Sequence, residues 1–355
     1  MPKNKKLGRM LSLDYLRGYF IVIIILDHLS RWPSLGQVIS GKALLWVTAA
    51  EGFVIISGLL IGYIRGFKGQ KDSMKSLTAK LLKRAGILYA WSILASLAYA
   101  AILWNVELKG GSPSLPMEVG NWSELFGRLI SLDYSFTWVY FLMLYAVFLA
   151  ISPLAIWLMR HDRTWLVGII SLILLIVGWQ QQNEFLQWQF LFFIPSVAGY
   201  HLEDIRNWWI KLTKNKQKTF KYFIWIISAT TIGLSIISIY YQAIAPGIAS
   251  ALNPLFEKDT ISLYRAGMAF LWFTGFLLLF IQFEKNIKKY LGWLLGEIGS
   301  RSLTAYIVHG LALCIISFFT VSGTDLFINT ALGIVAIMIV WSILKIPNVN
   351  KVIPR

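Results

Sequence analysis

Leu13-Asp14-Tyr15-Leu16-Arg17-Gly18-Tyr19-Phe20-Ile21-Val22-Ile23-Ile24-Ile25-Leu26-Asp27-His28 is the stretch that decides the class of fold. With its flanks it fills a segment of about 13–31, close to the roughly 20 apolar residues that a membrane-spanning helix needs. A basic leader, Met1 to Arg9, runs straight into it with no small-residue cleavage site, so it reads as a retained first helix. It nevertheless carries Asp14, Arg17, Asp27 and His28. Ionisable groups inside a span cost roughly 2.5–3.5 kcal/mol each on insertion scales, which makes these four candidates for function.

Working outward, nine more segments qualify, at about 43–64, 85–104, 135–159, 164–180, 185–202, 221–242, 263–283, 302–320 and 327–345. The fold class expected is therefore all-α and membrane-embedded, with about ten transmembrane helices in a single integral-membrane domain over residues 1–355. Composition agrees, since 57% of the chain is hydrophobic and only 14% charged, against about a quarter charged in soluble domains.

The net charge of +16 is not spread like that of a nucleic-acid binder. Lys and Arg recur in alternate loops: Lys3 to Arg9, Arg65 to Arg84, Arg160 and Arg163, Arg206 to Lys221, Lys285 to Lys289, and Lys345 to Arg355. The intervening loops hold Glu107, Glu118, Glu124, Glu184, Glu257, Asp259 and Asp325. By the positive-inside rule the first set is cytoplasmic, and an even number of spans puts both termini there. The longest outer loop, about 105–134, contains Gly110, Gly111, Pro113 and Pro116 and an amphipathic stretch, Trp122 to Ile130, suited to cover a site.

Arg17 and His28 stand eleven residues apart, and three helical turns take about 10.8, so both project from one face about 16 Å apart along the axis. The alternative is that Arg17 pairs with Asp14 and His28 merely ends the helix near water. Glu51, in Ala49-Ala50-Glu51-Gly52-Phe53 before Ser57-Gly58, has small neighbours that let another helix approach; it is either a chemical group or the structural partner of an arginine or histidine. His309 lies near the middle of its span, with a satisfied hydrogen bond and a chemical role both open. The four histidines are scattered with no metal-ligand spacing, the single Cys314 excludes a disulfide framework, and there is no phosphate-binding glycine loop or nucleophile elbow.

Leu13 to Gly18 followed by Asp27-His28 resembles the first-helix signature of the acyltransferase-three superfamily, an Arg or Lys, ten residues, then His. Ala49 to Phe53 with Ser57-Gly58, Tyr140 through Pro153, Trp188-Gln189 with Leu191-Phe192 and Gly199, Lys258 with Arg265, and Leu295-Gly296 with Ser302-Leu303 and His309 resemble its OpgC-type branch, which succinylates periplasmic glucans. The resemblance implies a bacterial inner-membrane O-acyltransferase. Its donor would be a cytosolic acyl-CoA carrying succinyl or acetyl, with no bound cofactor, and its acceptor an extracytoplasmic glycan hydroxyl. It implies His28 as base, with Asp27 or Glu51 orienting it and Arg17 along the donor's route. Lys83 and Arg84 would be the donor-binding pair, with Lys standing where the family expects Arg. Arg265, Lys258, Gln189 and His309 are the further substrate-side candidates. The rivals are an exporter of a glycan or lipid-linked sugar and a membrane scaffold.

Overall fold

The computed structural model describes residues 10–109, 113–349 and 353. Lys3 to Arg9, Gly110, Gly111, Lys351 and Arg355 from the charge and loop reading lie outside the described residues. Among those described, the regular structure is entirely helical. The helices that carry the argument are α1 (Leu11–Leu29), α2 (Ala49–Leu60), α3 (Met74–Asn105), α4 (Trp122–Ile130), α5 (Tyr140–Arg160), α6 (Thr164–Gln180), α7 (Phe190–Tyr200), α8 (Lys214–Tyr240), α9 (Leu263–Gln282), α10 (Gly292–Ser300), α11 (Ser302–Phe319) and α12 (Leu326–Lys345).

Six of these twelve start at a residue whose side chain accepts a backbone N–H of the first turn, Thr48 before α2 among them. Ser73 takes that of Ser76, Asn121 that of Glu124, Thr213 that of Lys216, Ser262 that of Arg265 and Asp325 that of Ile328. α2 begins later than the apolar run at 43, because Lys42 and Ala43 sit at positive φ and the helix is nucleated only at Thr48. α3 begins earlier than its apolar window, since Ser73 caps it and the basic residues that follow are good helix formers. Its 32 residues extend about 48 Å, well beyond a hydrocarbon core of about 30 Å, so a polar first section projects from the membrane.

Among the described residues, seven helical segments are long and apolar enough to span: Ala49–Lys71, Met74–Asn105, Thr137–Arg160, Lys214–Tyr240, Leu263–Gln282, Ser302–Phe319 and Leu326–Lys345. The chain is thus a multi-pass membrane protein. The other three expected spans each depart from that standard for a visible reason. α1 has 19 residues but carries Asp14, Arg17 and Asp27, α6 has 17, and the sixth segment is interrupted at Gln189 between Glu184–Trp188 and Phe190–Tyr200.

Two compact units are present, one formed by residues 1–20, 43–72 and 154–299, the other by 21–42, 73–153 and 300–355. In the first, glycines set the helix crossings. A Cβ on Gly58 or Gly62 of the α2 segment would overlap the carbonyls of Phe192 and Ser196, and one on Gly199 would overlap that of Leu59. Likewise Gly18 meets the Leu295 carbonyl and Gly299 that of Asp14, so the start of α1 lies backbone to backbone on α10. In the second unit, α4 forms over the expected Trp122–Ile130 stretch and buries Leu125 and Leu129 with Ala100 and Met117. The Tyr99 hydroxyl of α3 donates to the Ile307 carbonyl of α11 at 2.5 Å.

Candidate functional site

α1 and α11 bring two histidines together from positions 281 residues apart in the chain. His28 Nδ1 lies 2.8 Å from His309 Nε2, and the rings meet edge to edge, with centroids 5.0 Å apart and planes inclined by 27°. His309 is completely buried, whereas His28 is partly exposed. The other ring nitrogen of His309, Nδ1, lies 2.5 Å from the Tyr306 carbonyl.

The turn that holds His309 is fixed on several sides. The Tyr306 ring packs 5.3 Å from the His309 ring, and its hydroxyl accepts the Phe141 N–H at 3.3 Å. A Cβ at Gly310 would strike the Tyr99 and Trp138 rings, so those aromatics lie directly on the helix backbone. Beyond the end of α1, Arg31 donates to the Thr320 carbonyl and hydroxyl at 3.1 and 3.3 Å and to the Ser322 hydroxyl at 2.8 Å, capping α11. A cation on the last carbonyl complements the helix dipole. Sequence reading singled out neither Arg31 nor the histidine pairing.

The other unit holds a second buried polar assembly. Glu51 is fully buried, and its Oε2 accepts the Thr48 N–H at 3.0 Å and hydroxyl at 2.6 Å in a capping box. Its Oε1 accepts Arg265 Nε at 2.8 Å and a second guanidinium nitrogen at 2.5 Å. The third, NH1, donates to the carbonyls of Glu257, Lys258 and Thr260 at 2.9, 2.6 and 3.2 Å. Arg265 therefore ties the segment before α9 to the start of α2. Trp46 adds a stacked contact with Phe256, centroids 4.3 Å apart, and donates its indole N–H to Asn253 at 3.2 Å.

The remaining candidates fall at distinct places. Lys258 has an exposed side chain on that tied segment. Gln189 is buried at the helix interruption, donating to the carbonyls of Ser171 and Leu186 at 2.8 and 3.0 Å and accepting the Ser171 hydroxyl at 2.7 Å. Gln187 just before it, which sequence reading passed over, links the Gly178 carbonyl to the Ile261 N–H. Arg17 and Asp27 are partly exposed on α1, Lys83 is exposed and Arg84 partly exposed on the basic first section of α3.

A family model described as OpgC protein matches residues 9–350, nearly the whole chain. The chain belongs to the OpgC family. Membership points to a membrane acyltransferase and covers both the histidine pair and the Glu51–Arg265 assembly of this OpgC-family chain. No curated protein and no solved structure matches it.

Proposed function

We propose that this chain transfers an acyl group, succinyl or acetyl, from cytosolic acyl-CoA to a hydroxyl of a periplasmic or cell-surface glycan, with His28 as general base. The observation that carries the reading is that His28 combines partial exposure with a hydrogen bond to a buried second histidine. A glycan hydroxyl is not acidic near neutral pH, and a neutral imidazole with a free ring lone pair is suited to take its proton.

In the reaction the hydroxyl oxygen attacks the thioester carbonyl while its proton passes to His28. The new O–C bond forms, the C–S bond breaks, and the coenzyme A thiolate leaves and is protonated, so one proton moves from hydroxyl to thiol. The alternating Lys and Arg loops support an inner-membrane orientation with both termini cytoplasmic and His28 toward the outer side. The basic start of α3, with Lys83 and Arg84, then faces the cytosol, where it attracts the phosphates of the donor. Arg17, one face along from His28 toward the cytoplasmic end of α1, lines the donor's route. Within their own unit Arg265 and Glu51 hold the segment that carries the exposed Lys258, and in the other unit Asp27 acts beside His28.

The test is to give purified protein labelled acyl-CoA with and without a glucan oligosaccharide. Glucan-dependent release of coenzyme A with label on the sugar is expected. Glucan movement across a vesicle membrane without label transfer would contradict the reading and favour an exporter.

A further inference from the structure

The hydrogen bonds of His309 decide where the protons of the pair lie. A backbone carbonyl can only accept, so His309 Nδ1, 2.5 Å from the Tyr306 oxygen, carries a hydrogen. A neutral imidazole has one N–H, which leaves His309 Nε2 bare and able only to accept. Its partner at 2.8 Å, His28 Nδ1, must therefore donate. The proton of His28 is then spent on Nδ1, and its Nε2 keeps a lone pair.

From this chain we infer that His309 is a positioning residue: it holds His28 in the tautomer whose Nε2 is the base. This rests on the acyl-transfer reading and gives His309 a role other than touching substrate, because both of its nitrogens are already engaged. As Nε2 of His28 takes the hydroxyl proton, the hydrogen on Nδ1 can cross to His309 Nε2, so the charge is shared by the pair. When the thiolate leaves, it takes one proton back and the starting arrangement returns. A second proton is not accommodated, since two N–H groups cannot face each other across 2.8 Å. The Tyr306 carbonyl sets the direction of the whole chain, and the packing of Tyr99 and Trp138 on Gly310 keeps the turn in place.

Two measurements test this. The protein has four histidines, few enough to resolve by ¹⁵N-histidine NMR of the full-length protein in lipid. His28 should show a bare Nε2 and a protonated Nδ1, and His309→Leu should remove that preference; a protonated Nε2 in neutral His28 of the native protein overturns the inference, whatever the reaction proves to be. Kinetically, with succinyl-CoA and a glucan oligosaccharide, His309→Leu should lower kcat ~10²-fold, the lower end of what a positioned base contributes, with KM for the glucan retained. His309→Gln, whose amide oxygen can accept the same hydrogen, should restore most of the loss. A raised glucan KM at native kcat, or no rescue by Gln in a folded variant, overturns it. Failure of the native protein to transfer succinyl at all would instead contradict the acyl-transfer reading, leaving the tautomer to the NMR result.

Discussion

Arg265 sets two of its guanidinium nitrogens on a single oxygen of Glu51, at 2.5 and 2.8 Å, although the two residues are 214 positions apart and both are buried. The pair fastens the 257–260 backbone to the start of α2 through the third nitrogen. Removing one partner of a buried pair strands the other charge and costs about 3–5 kcal/mol. Glu51→Ala and Arg265→Ala should each lower the melting temperature of the solubilised protein sharply, while Glu51→Leu with Arg265→Met together should recover part of the loss. Unchanged melting in Glu51→Gln with activity abolished would instead assign the carboxylate to chemistry.

The glycine crossings give a second expectation. Gly199→Val forces a side chain into the Leu59 carbonyl, and overpacking of this kind costs about 1–3 kcal/mol. Gly86 and Gly168 have open space where a Cβ would go, so Gly86→Ala should be neutral or add up to about 1 kcal/mol through helix propensity. Folded yield from membranes separates the two cases; equal behaviour of Gly199→Val and Gly86→Ala would remove the crossing from the account.

At the basic start of α3, Lys83→Gln with Arg84→Gln should raise KM for acyl-CoA while leaving kcat at saturating donor close to native. The native KM should rise with added salt, as an exposed phosphate contact is screened. A double variant whose donor KM and salt response match the native protein would take these residues out of the donor site.

Much of this architecture was legible in local sequence. The apolar windows locate the seven long spans, because apolar runs are local in sequence, but the caps at Thr48 and Ser73 that move the starts of α2 and α3 away from those windows were not read. For Glu51 the sequence left open a chemical role or a structural pairing with an arginine or histidine, and it did not identify Arg265 as the residue it meets. What stays hidden is which distant helices meet. His28 near an outer end and His309 near mid-span read as lying at different depths, yet their ring nitrogens are 2.8 Å apart. Depth counted along a helix ignores tilt, which is set by packing against neighbours. The interruption at Gln189 is hidden for a similar reason, since its hydrogen bonds go to Ser171 on another helix.

The most direct test of the central claim is glucan-dependent coenzyme A release by His28→Ala against native protein, at equal membrane level and saturating donor. Loss of a positioned general base costs ~10²–10⁴-fold in rate. The expected result is a fall in turnover within that range with acyl-CoA binding preserved, because the donor contacts proposed on α3 are untouched. Turnover within a few-fold of native in a folded His28→Ala protein would contradict the account.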